Sequence, residues 1–219
     1  MTELKHQIYQ QILDNPTWNL SFSKEFIFPH YDGLSILNIP VTAGDLLGTP
    51  GFAQQTLAPA ILERLNRKPK NLILILLDAL SYHRLQTWLA DDSSLIWNDL
   101  LQDGLLVPLT SICPSTTCAA ITSYWTDTSA LSHGMMGYEM WLKEYGVVAN
   151  MIEHKPIKYR SPGGELSLGG FDPETFLPVG SISDHYRKAN VETHAFQHFA
   201  IINSGLSRMF MGETERHAI

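Results

Sequence analysis

The sequence is poor in three features, and each shortage closes off a class of protein. It contains 2 cysteines in 219 residues, Cys113 and Cys118. Two are too few for a disulfide framework and suit a reducing compartment. Positive charge is also scarce: 15 Lys and Arg stand against 22 Asp and Glu, for a net charge of −7. No basic run offsets this, so wrapping a nucleic acid polymer or holding an anionic membrane by charge is excluded. The longest apolar run, Leu72 to Leu77, has six residues, whereas a helix needs about 20 to span a bilayer. Met1 to Asn15 reads as polar and helix-forming, with no apolar signal-peptide core. A soluble, cytoplasmic chain is therefore expected. The chain also lacks G-x-S-x-G, G-x-x-x-x-G-K-[ST], H-E-x-x-H and C-x-x-C. Those absences remove a nucleophile-elbow α/β hydrolase, a P-loop NTPase, a zincin and a zinc ribbon.

What is present is core material. Hydrophobic residues make up 44% and charged residues 17%, with 5 Trp, 8 Tyr and 9 Phe, which excludes global disorder. Residues 2–14 place Leu4, Ile8 and Ile12 on one helical face, and Asn15-Pro16 ends that helix. Residues 16–50 read as an irregular arm with a short helix at Val41–Leu47, and 57–67 as a second amphipathic helix. Asn71–Leu77 is apolar at nearly every position and reads as a strand buried on both faces. Residues 80–90 supply the following helix. Leu105–Ile112 is a second strand, irregular or at an edge because of Pro108. Cys118–Trp125 reads as a helix starting directly after a strand. Val147–Ile152 and Val191–Phe199 suggest strands, 183–190 a helix, and 155–180 a loop containing Gly163-Gly164 and Gly169-Gly170. Strands alternating with helices predict an α/β fold with a mostly parallel sheet flanked by helices.

Three places could carry chemistry. Asp78 closes the apolar strand, and ligands of open α/β sheets bind beyond the carboxyl ends of strands. A carboxylate there can hold a metal, or simply cap the next helix. Pro114-Ser115-Thr116-Thr117-Cys118 puts three hydroxyls at a strand-to-helix junction. Free N–H groups and the dipole at a helix start suit a phosphate, and a metal can activate a hydroxyl nucleophile. Plain capping by Ser115 or Thr116 is the simpler alternative. His133, in Ser132-His133-Gly134, could meet substrate or metal, or could be a hydrogen-bonded structural histidine.

Together these segments resemble the type I phosphodiesterase/nucleotide pyrophosphatase family of the alkaline phosphatase superfamily. That family has a strand ending in Asp and then P-[ST]-x-T-x-P-N-H-x(4)-T-G-x-x-P-x-x-H-G. Here PSTTCAAITSYWTDTSALSHG aligns with it without a gap. PHYDGLSILNIPVTAGDLLG, HGMMGYEMWL and NSGLSRMF are similar to bacterial alkaline-phosphatase-family proteins and extend the likeness from about residue 29 onward. The resemblance implies Asp78 as a metal ligand and Thr117 as both metal ligand and nucleophile. Phosphoric-ester hydrolysis would run through a phospho-threonine, with two divalent metals, zinc expected, as cofactors. It further implies substrate contacts from the Cys118 backbone N–H, His133 and Tyr138. The sequence departs from the family pattern at several positions. Ala119-Ala120 replaces Pro-Asn, Asp127 replaces Gly, Ala130 replaces Pro, and Tyr138 stands where nucleotide pyrophosphatases place a phosphate-binding Asn.

The family's other metal ligands lie in Asp-x-x-x-His and Asp-His-Gly elements and a last His. Asp184-His185 is followed by Tyr186, not Gly, and His194, His198 and His217 match none of these elements. The expectation is residues 1–56 as a helix and irregular arm, and 57–219 as the N-terminal half of an alkaline-phosphatase-like domain, truncated before its remaining ligands. The expected partners are a small phosphate-ester substrate and either another copy of the chain or a missing C-terminal half. The alternative is a catalytically incomplete binding or interaction protein that keeps the half-fold.

Overall fold

The structure is a computed structural model that describes residues 2–14, 26–49, 54–65, 68–158 and 165–219. The expected helix stop at Asn15-Pro16, the first part of the arm and the Gly163-Gly164 loop lie outside the described residues. Helix α1 (Thr2–Leu13) follows the predicted periodicity and buries Ile8 and Ile12. Helix α2 (Asn38–Leu46) is the short helix of the arm. The helix expected over 57–67 is confined to α3 (Pro59–Leu62), where Pro59 occupies the first position. Helices α4 (Tyr82–Asp91) and α5 (Ile96–Asp103) follow, then α6 (Thr117–Thr126) and the single turn α7 (Ala130–His133).

The expected mostly parallel sheet is corrected by the structure. Strands β1 (Glu139–Leu142), β2 (Val147–Asn150) and β3 (Lys155–Pro156) form an antiparallel meander in the order β1-β2-β3. Glu139 pairs with Asn150 and Leu142 with Val147. A local hairpin makes this possible, with Gly146 at φ +63° closing the turn that a side chain would strain. Beyond helices α8 (Pro173–Phe176) and α9 (Ile182–Lys188), strand β4 (His194–Gln197) pairs in parallel with β5 (Glu215–Ala218) across α10 (Gly205–Phe210).

Residues 72–77, expected as a strand buried on both faces, are extended but belong to no ladder among the described residues. Ile73 is 86% exposed and Ile75 76% exposed. A strand apolar on both faces needs neighbours on two edges and a layer on each side, and the described residues bring none to it. Among the described residues, 105–112 form one parallel bridge, Ser35 to Thr110, and no ladder. Pro108, without an N–H, sits within that stretch.

Burial falls into three clusters. The largest gathers Cys118, Met135, Leu142, Ala149, Met151, Leu206 and Phe210, with Trp125 stacked on Phe210 at 5.9 Å. The second joins Ile8 and Ile12 of α1 to Leu34, Leu57 and Ile61, against which Leu105, Val107 and Leu109 pack with the alternation of an extended chain. The third holds Leu37, Ile112, Ala119 and Ala130. No helix among the described residues is long and apolar enough to cross a membrane.

The arm is held to the body by buried polar bonds. Asn38 is fully buried, its Nδ2 donating to the carbonyls of Tyr31 (2.9 Å) and Gln55 (2.8 Å), while its Oδ1 accepts from Ser35 N–H (2.9 Å). Thr42 Oγ1 accepts from Leu57 N–H at 2.8 Å, and Tyr186 Oη donates to the Pro40 carbonyl at 2.6 Å. Asn38→Ala leaves three buried backbone groups without that partner, so it is expected to lower stability by about 3 kcal/mol in a urea titration. A loss under about 1 kcal/mol would show that water replaces the amide there.

Candidate active site

The extended segment ending at Leu77 delivers Asp78 into a tight turn. Ala79 takes φ +59° in that turn, a left-handed conformation that residues with a Cβ rarely adopt. Asp78 Oδ1 accepts from its neighbour Ala79 N–H at 2.9 Å. The cap of α4 is Ser81, whose hydroxyl accepts from Arg84 N–H. Asp78 therefore does not cap that helix, and its carboxylate is left exposed.

A similar division of labour holds at α6. Thr116 is the N-cap, its Oγ1 accepting from Ala119 N–H at 3.4 Å. Thr117 is the first helical residue, and its hydroxyl is free of capping. Thr117 Oγ1 lies 3.4 Å from Asp78 Oδ2 and 3.5 Å from Oδ1, with both side chains exposed. The structure thus brings together two residues 39 positions apart in the sequence. Their spacing is long for an O–H···O bond, whose usual length is about 2.7–2.8 Å. It suits two oxygens bound to one divalent ion at about 2.0–2.2 Å.

The rest of α6 anchors this end. The Cys118 side chain is buried, and burial raises its thiol pKa, so it acts as a packing group. Its backbone N–H lies in the first turn, where no carbonyl within the helix can accept it. Thr122 Oγ1 donates to the Cys118 carbonyl (2.7 Å) and Thr126 Oγ1 to that of Thr122 (2.8 Å).

The departures from the family pattern have local explanations. Ala119 supplies the N–H that Thr116 accepts, which Pro could not. Asp127 sits at φ +54° as the α6 C-cap, a left-handed position usually taken by Gly and tolerated by Asp. Ala130 is the first residue of α7, where Pro is favoured, and Ser129 has the extended backbone that precedes Pro.

His133, expected at the substrate, is 1% exposed. Its Nδ1 accepts from Met135 N–H at 3.0 Å, so in the neutral ring Nε2–H donates to Ser123 Oγ at 2.9 Å. Burial lowers its pKa to about 4. It holds the Gly134–Met136 turn, and Thr116 Oγ1 donates to the Met136 carbonyl at 3.4 Å. His133 thus reaches the Thr116–Thr117 end through backbone. Tyr138 is half exposed, and its Oη accepts from Asn150 Nδ2 at 2.7 Å. Asp184 Oδ1 accepts from Glu213 N–H at 3.2 Å, which ties α9 to the chain before β5. A concavity of about 860 Å³ beside α1, lined by Glu3, His6, His30 and Asp32 among others, includes neither Asp78 nor Thr117.

The donor set can be tested against the family's two ions. A catalytic zinc usually has three protein ligands. Asp78 and Thr117 supply two oxygens, and no described group of three metal-ligating side chains includes Asp78. These residues fit one edge of a coordination sphere and do not make up the pair of metal sites. The one such group among the described residues is His194, Glu215 and His217. Sequence reasoning missed Glu215, although its alternation with His217 places both on one face of a strand.

No curated protein and no solved structure gives a significant match. The family model described as Type I phosphodiesterase / nucleotide pyrophosphatase matches residues 72–197, which include Asp78, all of α6 and His133. That is more than half of the 219 residues, and the chain belongs to the type I phosphodiesterase/nucleotide pyrophosphatase family.

Proposed function

We propose that this chain carries the nucleophile of a phosphoric-ester hydrolase, Thr117, with Asp78 beside it. The observation that supports this reading most is the freed hydroxyl. Thr116 caps α6, while Thr117 Oγ1 faces both oxygens of Asp78. A phosphoryl group in front of α6 meets the Thr117 and Cys118 N–H groups and the positive end of the helix dipole. Thr117 Oγ1 bonds to phosphorus as the ester's P–O bond to its alcohol breaks, and the hydroxyl proton leaves with the departing alcohol. Water then hydrolyses the phospho-threonine, releasing phosphate or a phosphomonoester and restoring the hydroxyl. Asp78 and Thr117 are the oxygens this chain would bring to the divalent metals, zinc first, expected of the family. Tyr138 stands near the start of β1 as a phenol donor for a substrate oxygen, and His133 acts by holding the turn.

A second reading is favoured by one observation. Two metal donors meet at the site where at least three are needed. On that reading the chain binds a phosphate ester without turning it over. The test is incubation with bis(p-nitrophenyl) phosphate, with and without Zn²⁺, reading nitrophenolate release and the p-nitrophenyl phosphoryl group on Thr117 by mass spectrometry. Release with Thr117 modified is expected. Saturable binding of the ester without release would establish the second reading, and release with Thr117 never modified would displace the nucleophile.

A further inference from the structure

We propose a divalent transition-metal site on the outer face of the β4–β5 pair, formed by His194, Glu215 and His217. It shares no residue with the Asp78–Thr117 pair, and zinc is the ion its ligands suit best.

The backbone builds it. In the parallel register His194 lies opposite Glu215, and Phe196 opposite His217. Strand alternation puts all four on one face and turns Ala195 into the core. The donor atoms then converge. His194 Nδ1 is 3.1 Å from His217 Nε2 and 3.2 Å from Glu215 Oε2, and His217 Nε2 is 3.7 Å from Glu215 Oε1. Ligands bound tetrahedrally at about 2.0–2.2 Å lie about 3.4 Å from one another. These pair distances, taken over both oxygens of Glu215, are near that spacing before any ion is added, and one ligand atom from each residue lies within 4.8 Å of the other two. Without metal, one imidazole must donate its N–H to the other.

The surroundings hold the rings in place. Phe196 stacks on His217 with centroids 4.6 Å apart and planes 16° from parallel. The other nitrogen of His194, Nε2, lies 3.9 Å from Glu192 Oε2. At that distance Glu192 offers the ring a charge contact and not a hydrogen bond. Two imidazoles and a carboxylate suit zinc and its neighbours, not calcium or magnesium. The side chains of His194 and His217 are 42% and 33% exposed, so a fourth position faces solvent and stays open to water or an anionic ligand.

The test uses the full chain carrying Asp78→Ala, which removes the other metal donor from play. Zinc titration by calorimetry after chelator treatment should give one equivalent. His194→Gln and His217→Gln in that background should each weaken binding at least tenfold, with unchanged circular dichroism. In the protein without these two substitutions, the ring ¹⁵N shifts should report metal at Nδ1 of His194 and Nε2 of His217. That readout needs no folded variant. Loss of the equivalent with Asp78→Ala alone would overturn the proposal, as would retention of full affinity in both histidine variants, or metal at other ring nitrogens. None of these outcomes depends on whether Thr117 is a nucleophile.

Discussion

Thr117→Ala is expected to lower phosphodiester hydrolysis by about a thousandfold or more, the scale of losing a covalent nucleophile. The fold should be untouched. Thr117 is exposed, packs against no core cluster, and leaves capping to Thr116. Its melting curve should overlay that of the unmodified chain, since exposed substitutions of this kind change stability by about 0.5 kcal/mol or less. Thr116→Ala is the matched control, removing a cap worth about 1 kcal/mol while sparing the Thr117 hydroxyl. Thr117→Ser keeps a hydroxyl at the same place and should keep a measurable part of the rate. If Thr117→Ala turns over bis(p-nitrophenyl) phosphate at the original rate, the assignment fails outright. A parallel loss in Asp78→Asn would tie the two oxygens together functionally.

The second large effect is loss of stability in mild acid. Burial pushes His133 down to about 4, and burial together with the nearby Arg208 charge does the same to His154. His154 is buried against Phe171 with ring centroids 4.8 Å apart, and neither ring nitrogen has a hydrogen-bond partner among the described residues. A Cβ added at Gly205 would overlap its ring. The sign follows from proton counting. Between about pH 6.5 and pH 4 the unfolded chain protonates both imidazoles while the native chain keeps them neutral. The stability they contribute is therefore whole above pH 6.5 and declines as the pH falls toward 4, by up to about 3 kcal/mol for each. Denaturant titrations at pH 7.5, 6.0 and 5.0 should show the midpoint moving steadily down. His154→Leu should remove roughly half of that slope and cost little at pH 7.5, because an orphaned polar ring gives way to an apolar group. A midpoint that does not move between pH 7.5 and 5.0 would mean that these rings take up protons in the native chain as they do in the unfolded one.

The local signals in the sequence were legible wherever structure is decided within a few residues. The Leu4-Ile8-Ile12 stripe marks α1, the hydroxyls before Cys118 mark the start of α6, and the strand read over Val147–Ile152 is realised as β2 over Val147–Asn150. The motif spacing placed Asp78 and Thr117 at two junctions, and both lie within the residues that the family model matches. Helix caps, turns and periodicity are short-range physics, so one sequence carries them openly.

What depended on distant chain was not legible. Residues 72–77 have the composition of a doubly buried strand, yet burial requires other segments to lie alongside, and none of the described residues do. The meander of β1 to β3 arose because a four-residue loop with Gly146 closes a hairpin locally, where helical crossovers were expected. His133 could have faced a ligand or the core, and the choice was made by Ser123 and the Met135 N–H folding around it. Glu215 shared only its alternation with His217, which names no partner strand. Only the parallel pairing of β4 with β5 sets it beside His194, because strand register, unlike a helix cap, is a contact between residues about twenty positions apart. Local geometry and the role proposed for Thr117 were thus written in the chain, whereas burial, pairing and the convergence of ligands were decided by tertiary contacts.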